Sequence, residues 1–166
     1  MFAERSDSRV YIDRSGVAVN DIIENLMTAR SIKNTLSKFP INKEEMHASI
    51  DYTLDHMLDT EKHPPMVEFN IKTKPSGQLD LQTTEISDWC FLSLLQYGHI
   101  FKENVSDCNK LYAYGLKEVV REIMQDITNE SSTYKESLLH RTVYAAIVRN
   151  YGEIDLTEAE NILESI

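Results

Sequence analysis

Glycine is scarce in this chain, with five in 166 residues, and no G-x-x-x-x-G-K-[ST] or G-x-S-x-G pattern occurs. That leaves little material for a phosphate-cradling loop or a nucleophile elbow. Cysteine is nearly absent: Cys90 and Cys108 stand alone, without a C-x-x-C pair. Two lone cysteines make no multi-bridge framework and no C-x-x-C zinc site, and a reduced pair is favoured over a single disulfide between them. Each lies in an apolar helical pattern and reads as a reduced core thiol, which suits the cytoplasm. No apolar run approaches the roughly 20 residues needed to span a membrane. The start, MFAERSDSRVYID, is charged within five residues and has no apolar stretch, so no secretory signal is expected.

Positive charge is also short, and its shortage is uneven. The net charge is −10, with seven Lys/Arg against nine Asp/Glu in residues 1–58 and seven against fourteen in residues 85–166. An acidic surface repels phosphate backbones, whose contacts supply most non-specific nucleic-acid affinity. The last half is therefore not expected to lie on DNA.

What is present is helical periodicity. RVYID at 9–13 reads as one short strand, because Val10 and Ile12 alternate with polar neighbours. Asn20 is placed to cap a helix whose inward positions are Ile22, Ile23, Leu26 and Met27. Ser31 restarts the chain as a second helix with Ile32, Leu36 and Phe39 inward, ended by Pro40. A third begins at Asn42, where Glu45 completes a capping box and Ile41 and Met46 stand at staple spacing. Met46, Ile50, Leu54 and Met57 then form one stripe.

The polar stretch DTEKHPPM stops this helix. Val67, Phe69, Ile71 and Thr73, then Leu79, Leu81 and Thr83 after KPSGQ, read as a β-hairpin. From Ser87 onward the pattern is helical: 88–97 closed by Gly98, 107–128 with Gly115 inside, 132–151 capped by Ser131 or Ser132 and closed by Gly152, and a last helix opened by Thr157 and Glu160. The predicted fold is mainly α: an N-terminal tri-helical, helix-turn-helix-like module (1–58), a linker and one β-hairpin (59–86), and a C-terminal acidic helical bundle (87–166).

A helix-turn-helix lays the start of its second helix in the major groove while the preceding helix crosses the backbone. Here that second helix would begin at Asn42 and expose Lys43, Glu44 and His47. Asn42 and Lys43 would contact bases or phosphates, with Arg30, Lys33 and Lys38 supplying backbone contacts. Glu44 and Glu45 would oppose the same phosphates, and a structural or protein-binding use of these helices outweighs DNA reading.

The segments RVYID, GVAVNDIIENLMTARSIKNTLSKFP and INKEEMHASIDYTL resemble the small antitoxin-like helix-turn-helix domains of uncharacterised function often encoded beside PIN-like nuclease toxins. The matching elements are V-x-D-I-x-x-x-L, S-I-x-x-x-L-x-x-F-P and E-E-x-x-x-x-I-x-Y, across residues 9–57. The glycine-rich, arginine-containing segment usual before the first helix is reduced here to DRSGVAV, around Arg14 and Gly16. The resemblance implies regulation by occlusion of a partner protein; residues 59–166 have no counterpart in it.

Other chemistry is weakly represented. His47, Asp51 and Asp55 share one helix face, but one face seldom supplies the three or four converging ligands zinc requires, so no metal or cofactor is expected. Cys90 near His99 or His140 would need an exposed, electropositive setting to act as a nucleophile. It lies between Trp89 and Phe91 in the acidic half, so no catalytic residue is assigned and the protein is not expected to be an enzyme. Six of eight tyrosines fall in the C-terminal half, and Tyr112, Tyr114, Tyr134, Tyr144 and Tyr151 are taken as candidate partner contacts, since tyrosine offers large area at small entropy cost. The expected function is a non-enzymatic regulator or inhibitor that binds another protein. The alternative is a sequence-specific DNA-binding regulator, contacting DNA through residues 30–47 and dimerising through its C-terminal bundle. A homodimer through the hairpin edge or the long helix is compatible with either; a membrane is not expected.

Overall fold

The two extended segments flanking Asp7 pair with each other and precede the first helix along the chain. In the computed structural model, which describes residues 1–57, 68–128, 137–153 and 155–166, β1 (Phe2–Glu4) runs antiparallel to β2 (Val10–Ile12), with Phe2 opposite Ile12 and Glu4 opposite Val10. The second strand is the one its alternation predicts; its partner, in the charged N-terminus, is additional. The described residues are mainly helical, with seven helices and two short strand pairs. They form two compact units: Met1–Pro65 with Asn104–Lys110, and Met66–Glu103 with Leu111–Ile166. No described helix is long and apolar enough to cross a membrane.

In the first unit, helix α1 (Val19–Ala29) buries Val19, Ile22, Ile23 and Leu26. It begins at Val19 rather than after Asn20, and its N-cap, Ala18, offers no side-chain cap. Backbone pairing sets this start instead: Ala18 bridges Tyr11, and the Ile12 N–H donates to the Val17 carbonyl at 2.8 Å. Arg30 closes α1 in the left-handed region, with φ +50°. Ser31 caps α2 (Ile32–Lys38) by accepting from the Asn34 N–H at 3.1 Å. Phe39 is extended before Pro40, as the proline demands.

Helix α3 (Lys43–Met57) opens on the reciprocal capping box. The Glu45 N–H donates to Asn42 Oδ1 at 2.8 Å, and the Asn42 N–H donates to Glu45 Oε2 at 2.9 Å. Met46 and Ile50 are buried, but the stripe fades by Met57, which is 39% exposed. Helix α1 packs against both α2 and α3. The distant segment 104–110 completes this unit: the Ile32 N–H donates to the Ser106 carbonyl at 2.9 Å, and the Cys108 N–H to the Arg30 carbonyl at 3.1 Å.

In the second unit the hairpin is real but interrupted. Thr73 bridges Leu79, whereas β3 (Phe69–Asn70) pairs with β4 (Glu85–Ile86) in a register three residues later. Residues 81–83 turn out of the ladder, so Leu81 and Thr83 do not continue the alternation expected of them. Asp80 makes this turn: its Oδ1 accepts from the Gln82 N–H, and its carbonyl accepts from Thr84. Position 67 of the expected first arm, and the 59–66 linker, lie outside the described residues.

Helix α4 (Asp88–Phe101) is capped by Ser87 and buries Trp89 through Leu92, Leu94, Leu95 and Gly98. Gly98 does not close this helix, which runs three residues past it. Its role is close approach to α5 (Cys108–Thr128). A Cβ on Gly98 would lie 1.9 Å from the Leu111 carbonyl oxygen, and one on Gly115 would lie 2.0 Å from the Leu94 carbonyl oxygen. The two glycines thus let one backbone cross against the other where any side chain would collide.

Helix α6 (Leu138–Tyr151) is capped by Ser137 and closed at Gly152, φ +77°. The caps expected at Ser131 or Ser132 lie outside the described residues. Arg149 and Asn150 of α6 donate to the Phe69 and Ile71 carbonyls at 2.8 and 2.7 Å, covering the strand edge with side-chain donors. Helix α7 (Leu156–Ser165) is capped by Asp155, not by Thr157: Asp155 Oδ1 accepts from the Glu158 N–H at 2.9 Å. An aspartate two positions upstream captures the first turn before the threonine is reached.

Candidate functional site

The corner between α2 and α3 is held by a guanidinium. Arg14, in the loop after β2, donates from Nε to Glu45 Oε1 and from a terminal nitrogen to Glu45 Oε2, both at 2.7 Å, and also to the Pro40 carbonyl at 3.2 Å. Glu45 is only 5% exposed. The Arg14 hydrogen bonds hold its carboxyl below the usual range, against a burial effect that works the other way. The one arginine of the DRSGVAV segment, though its side chain is exposed, is therefore committed to the capping glutamate.

The residues expected to face DNA are not gathered on one open face. His47 is 9% exposed, packed inward because Glu45, Met46, His47, Ser49 and Ile50 together occupy the buried side of α3. The Asn42 side chain caps its own helix. Arg30 donates to Asn109 Oδ1 at 3.3 Å. Lys43 is half-buried, and Lys33 and Lys38 are exposed on α2. Asp51 and Asp55 are exposed and His47 buried, so that trio does not converge; among the described residues no group of three or more His, Cys, Asp or Glu side chains could hold a metal ion.

What the first unit does present is a surface cleft of ≈ 470 Å³ lined by Asp21, Glu24, Asn25 and Thr28 of α1, with Lys38 and Phe39 at the end of α2. The four α1 residues recur at helical spacing on one face, the face opposite the buried Ile22–Leu26 stripe. Thr35 Oγ1 donates to Asn25 Oδ1 at 2.9 Å and ties the two helices behind the cleft. Two exposed carboxylates, one ammonium and one aromatic ring make its surface acidic with an apolar wall. Sequence reasoning treated α1 only as a core helix; the polar stripe Asp21-x-x-Glu24-Asn25-x-x-Thr28 was the signal available.

The candidate tyrosines divide. Tyr112 is a core residue, 1% exposed, and its hydroxyl donates to the Leu81 carbonyl at 2.9 Å. It is not available to a partner, because its ring packs on Phe91 and its hydroxyl is held by the 81–83 turn. Tyr114 is half-buried with the Lys102 ammonium 4.9 Å from its ring centre. Tyr144 and Tyr151 are also half-buried, and burial with the nearby Glu158 carboxylate pushes the Tyr151 hydroxyl up. Tyr134 lies outside the described residues. Exposed apolar side chains occur instead at the end of α4, where Ile100 is 68% and Phe101 46% exposed.

Both thiols are free and buried. Burial pushes Cys90 and Cys108 each to about 12, so neither is a thiolate near neutral pH. His140 does not serve Cys90; it joins a polar constellation that sequence reasoning missed. His140 Nε2 lies 2.5 Å from Glu122 Oε2, Tyr97 donates its hydroxyl to Glu122 Oε1, and His140 Nδ1 contacts the Ser137 hydroxyl. The Tyr97 ring packs edge-on to the imidazole at 6.0 Å. Burial and the Glu122 carboxylate raise the Tyr97 hydroxyl and keep it protonated.

Compared with protein-family models, curated proteins and solved structures, this chain matches none.

Proposed function

We propose that the chain is a small cytoplasmic regulatory or inhibitory protein that acts by binding another protein, with α1–α3 as a helix-turn-helix-like head and α4–α7 as an acidic helical body. The observation that carries this reading is the acidic cleft between α1 and α2. Asp21 and Glu24 repel nucleic acid and attract a cationic side chain, and the Phe39 ring suits the aliphatic stem or cation of lysine or arginine. The partner segment is accordingly basic, and the action is occlusion of that basic surface, in keeping with the antitoxin-like pattern of residues 9–57. Tyr114, Tyr144 and Tyr151 remain partner contacts in this proposal. It requires no catalysis by the chain, and a reducing compartment suits its two free thiols.

The test is fluorescence anisotropy of a labelled arginine-rich peptide titrated with the full chain, beside Asp21→Lys plus Glu24→Lys. Binding that weakens at least about tenfold in the double variant supports the cleft. Equal binding by both proteins would remove it.

The second reading, a DNA-binding regulator that dimerises through its C-terminal part, is favoured by one observation: Lys33 and Lys38 are exposed on the helix that would span the backbone. It predicts affinity for mixed duplex DNA that falls steeply with salt and is lost in Lys33→Glu plus Lys43→Glu. Absence of such binding removes that reading and leaves the first intact.

A further inference from the structure

Glu122 of α5 holds the Nε2 side of the His140 ring in α6. A carboxylate can only accept, so at 2.5 Å from Glu122 Oε2 the imidazole Nε2 must carry the hydrogen. In the tautomer with its hydrogen on Nε2, the ring presents Nδ1 as a lone pair toward the Ser137 hydroxyl. His140 is 4% exposed, which removes water as a competitor for either nitrogen. The Tyr97 hydroxyl, donated to Glu122 Oε1, occupies the other carboxylate oxygen and fixes the carboxylate plane. Ser137 itself is an exposed residue, at the start of α6.

This is a nucleophile, a base and a group that orients the base, each within hydrogen-bond reach of the next. We propose that Ser137 is a nucleophile toward small activated acyl esters, with His140 as general base and Glu122 as the positioning residue. The site belongs to the second unit, shares no residue with the α1–α2 cleft of the first, and does not depend on it. The order of ring nitrogens is the reverse of that in serine hydrolases, where Nε2 takes the serine proton; either nitrogen is a competent base when the other is held protonated.

In the step itself, Ser137 Oγ attacks the ester carbonyl as its proton passes to His140 Nδ1. The tetrahedral intermediate collapses, the carbon–oxygen bond to the alcohol breaks, and the imidazolium returns the proton to the departing alkoxide. The products are an acyl-Ser137 and a free alcohol, with no change in oxidation state. The Leu138 and Leu139 amides, ahead of the first intrahelical bond from Arg141 to Ser137, stand at the positive end of α6. They are the donors for the oxyanion.

The test incubates the full chain with p-nitrophenyl acetate and locates acetyl groups by peptide mass spectrometry. Acetylation at Ser137 is expected at least about tenfold faster than at the exposed Ser76, and to be released by hydroxylamine, as an ester is. Ser137→Asn retains a good N-cap and should fold while losing the adduct. Glu122→Gln should slow acetylation of Ser137 by about tenfold or more, with circular dichroism unchanged, and Glu122→Asp should restore part of the rate. Modification of Ser137 no faster than Ser76 would overturn the proposal. So would an unchanged rate in Glu122→Gln, and equal losses in the Gln and Asp variants would overturn the role given to Glu122.

Discussion

Replacing Gly98 by alanine tests the closest approach in the second unit. Helix propensity alone favours the change by about 1 kcal/mol, because alanine is the better helix former. The new Cβ, however, would stand 1.9 Å from the Leu111 carbonyl oxygen, 2.8 Å from its carbon and 3.0 Å from the Gly115 nitrogen. An ordinary carbon–oxygen contact needs about 3.3 Å or more, so α4 and α5 must part by more than about 1 Å. Every colliding atom is backbone, and no side-chain rotation relieves the clash. A gap of that size forfeits about half or more of each dispersion contact along the crossing, where Leu94, Leu95, Leu111 and Leu116 are buried. Overpacking at the upper end of its usual range, about 3 kcal/mol, less the propensity gain of about 1 kcal/mol, gives a net loss of about 2 kcal/mol. Gly115→Ala should behave alike, and the double variant should cost less than the sum, since one separation relieves both collisions. Urea unfolding followed by fluorescence of Trp89, the chain's one tryptophan and a residue of α4, reads the effect as a lower midpoint at unchanged slope. A Gly98→Ala protein as stable as the parent, or more stable, would refute the backbone-crossing argument.

Three further outcomes follow from the polar contacts. Glu45 is held below its ordinary value, so its contribution to stability is complete above the unfolded glutamate range and is lost as pH falls through it toward the folded value; Glu45→Gln should flatten the fall in urea midpoint below about pH 5. Asn42→Ala removes one half of the capping box and should cost about 1 kcal/mol, read by the same unfolding assay. The buried, protonated Cys90 and Cys108 should resist a thiol-specific reagent at neutral pH in the folded protein and react fully in denaturant; rapid labelling of the folded chain would contradict their burial.

Legibility in the sequence tracked the range of the interaction. The Asn42/Glu45 box, the Ser31 cap and the apolar side of α5 from Leu111 to Ile123 are local signals, and they stand in the structure as periodicity predicts. Gly98 misled because glycine both ends helices and permits close crossings, and only the partner backbone decides which. The Asp80 turn was hidden because Leu81 and Thr83 keep the alternation of a strand while their backbone leaves the ladder. His47 was assigned to the polar face of α3, yet the buried side of that helix is wide enough to take it in with Glu45 and Ser49. Of the site, Lys38 alone was singled out beforehand; Asp21 and Glu24 gave no signal beyond ordinary helix polarity, and the Ser137–His140–Glu122 chain joins residues of two helices that no local rule connects.

The strand-like clip of residues 104–110 onto Arg30–Ile32 has a bearing on biosynthesis. Translation delivers α1, α2 and α3 long before Ser106 and Cys108 leave the ribosome. Until then the Ile32 amide and the Arg30 carbonyl lack their eventual partners, and the nascent head remains open at the junction of its first two helices. A truncated expression product that stops short of Lys110 would inherit the same gap permanently, so any attempt to isolate the head must carry this late-arriving stretch along with it.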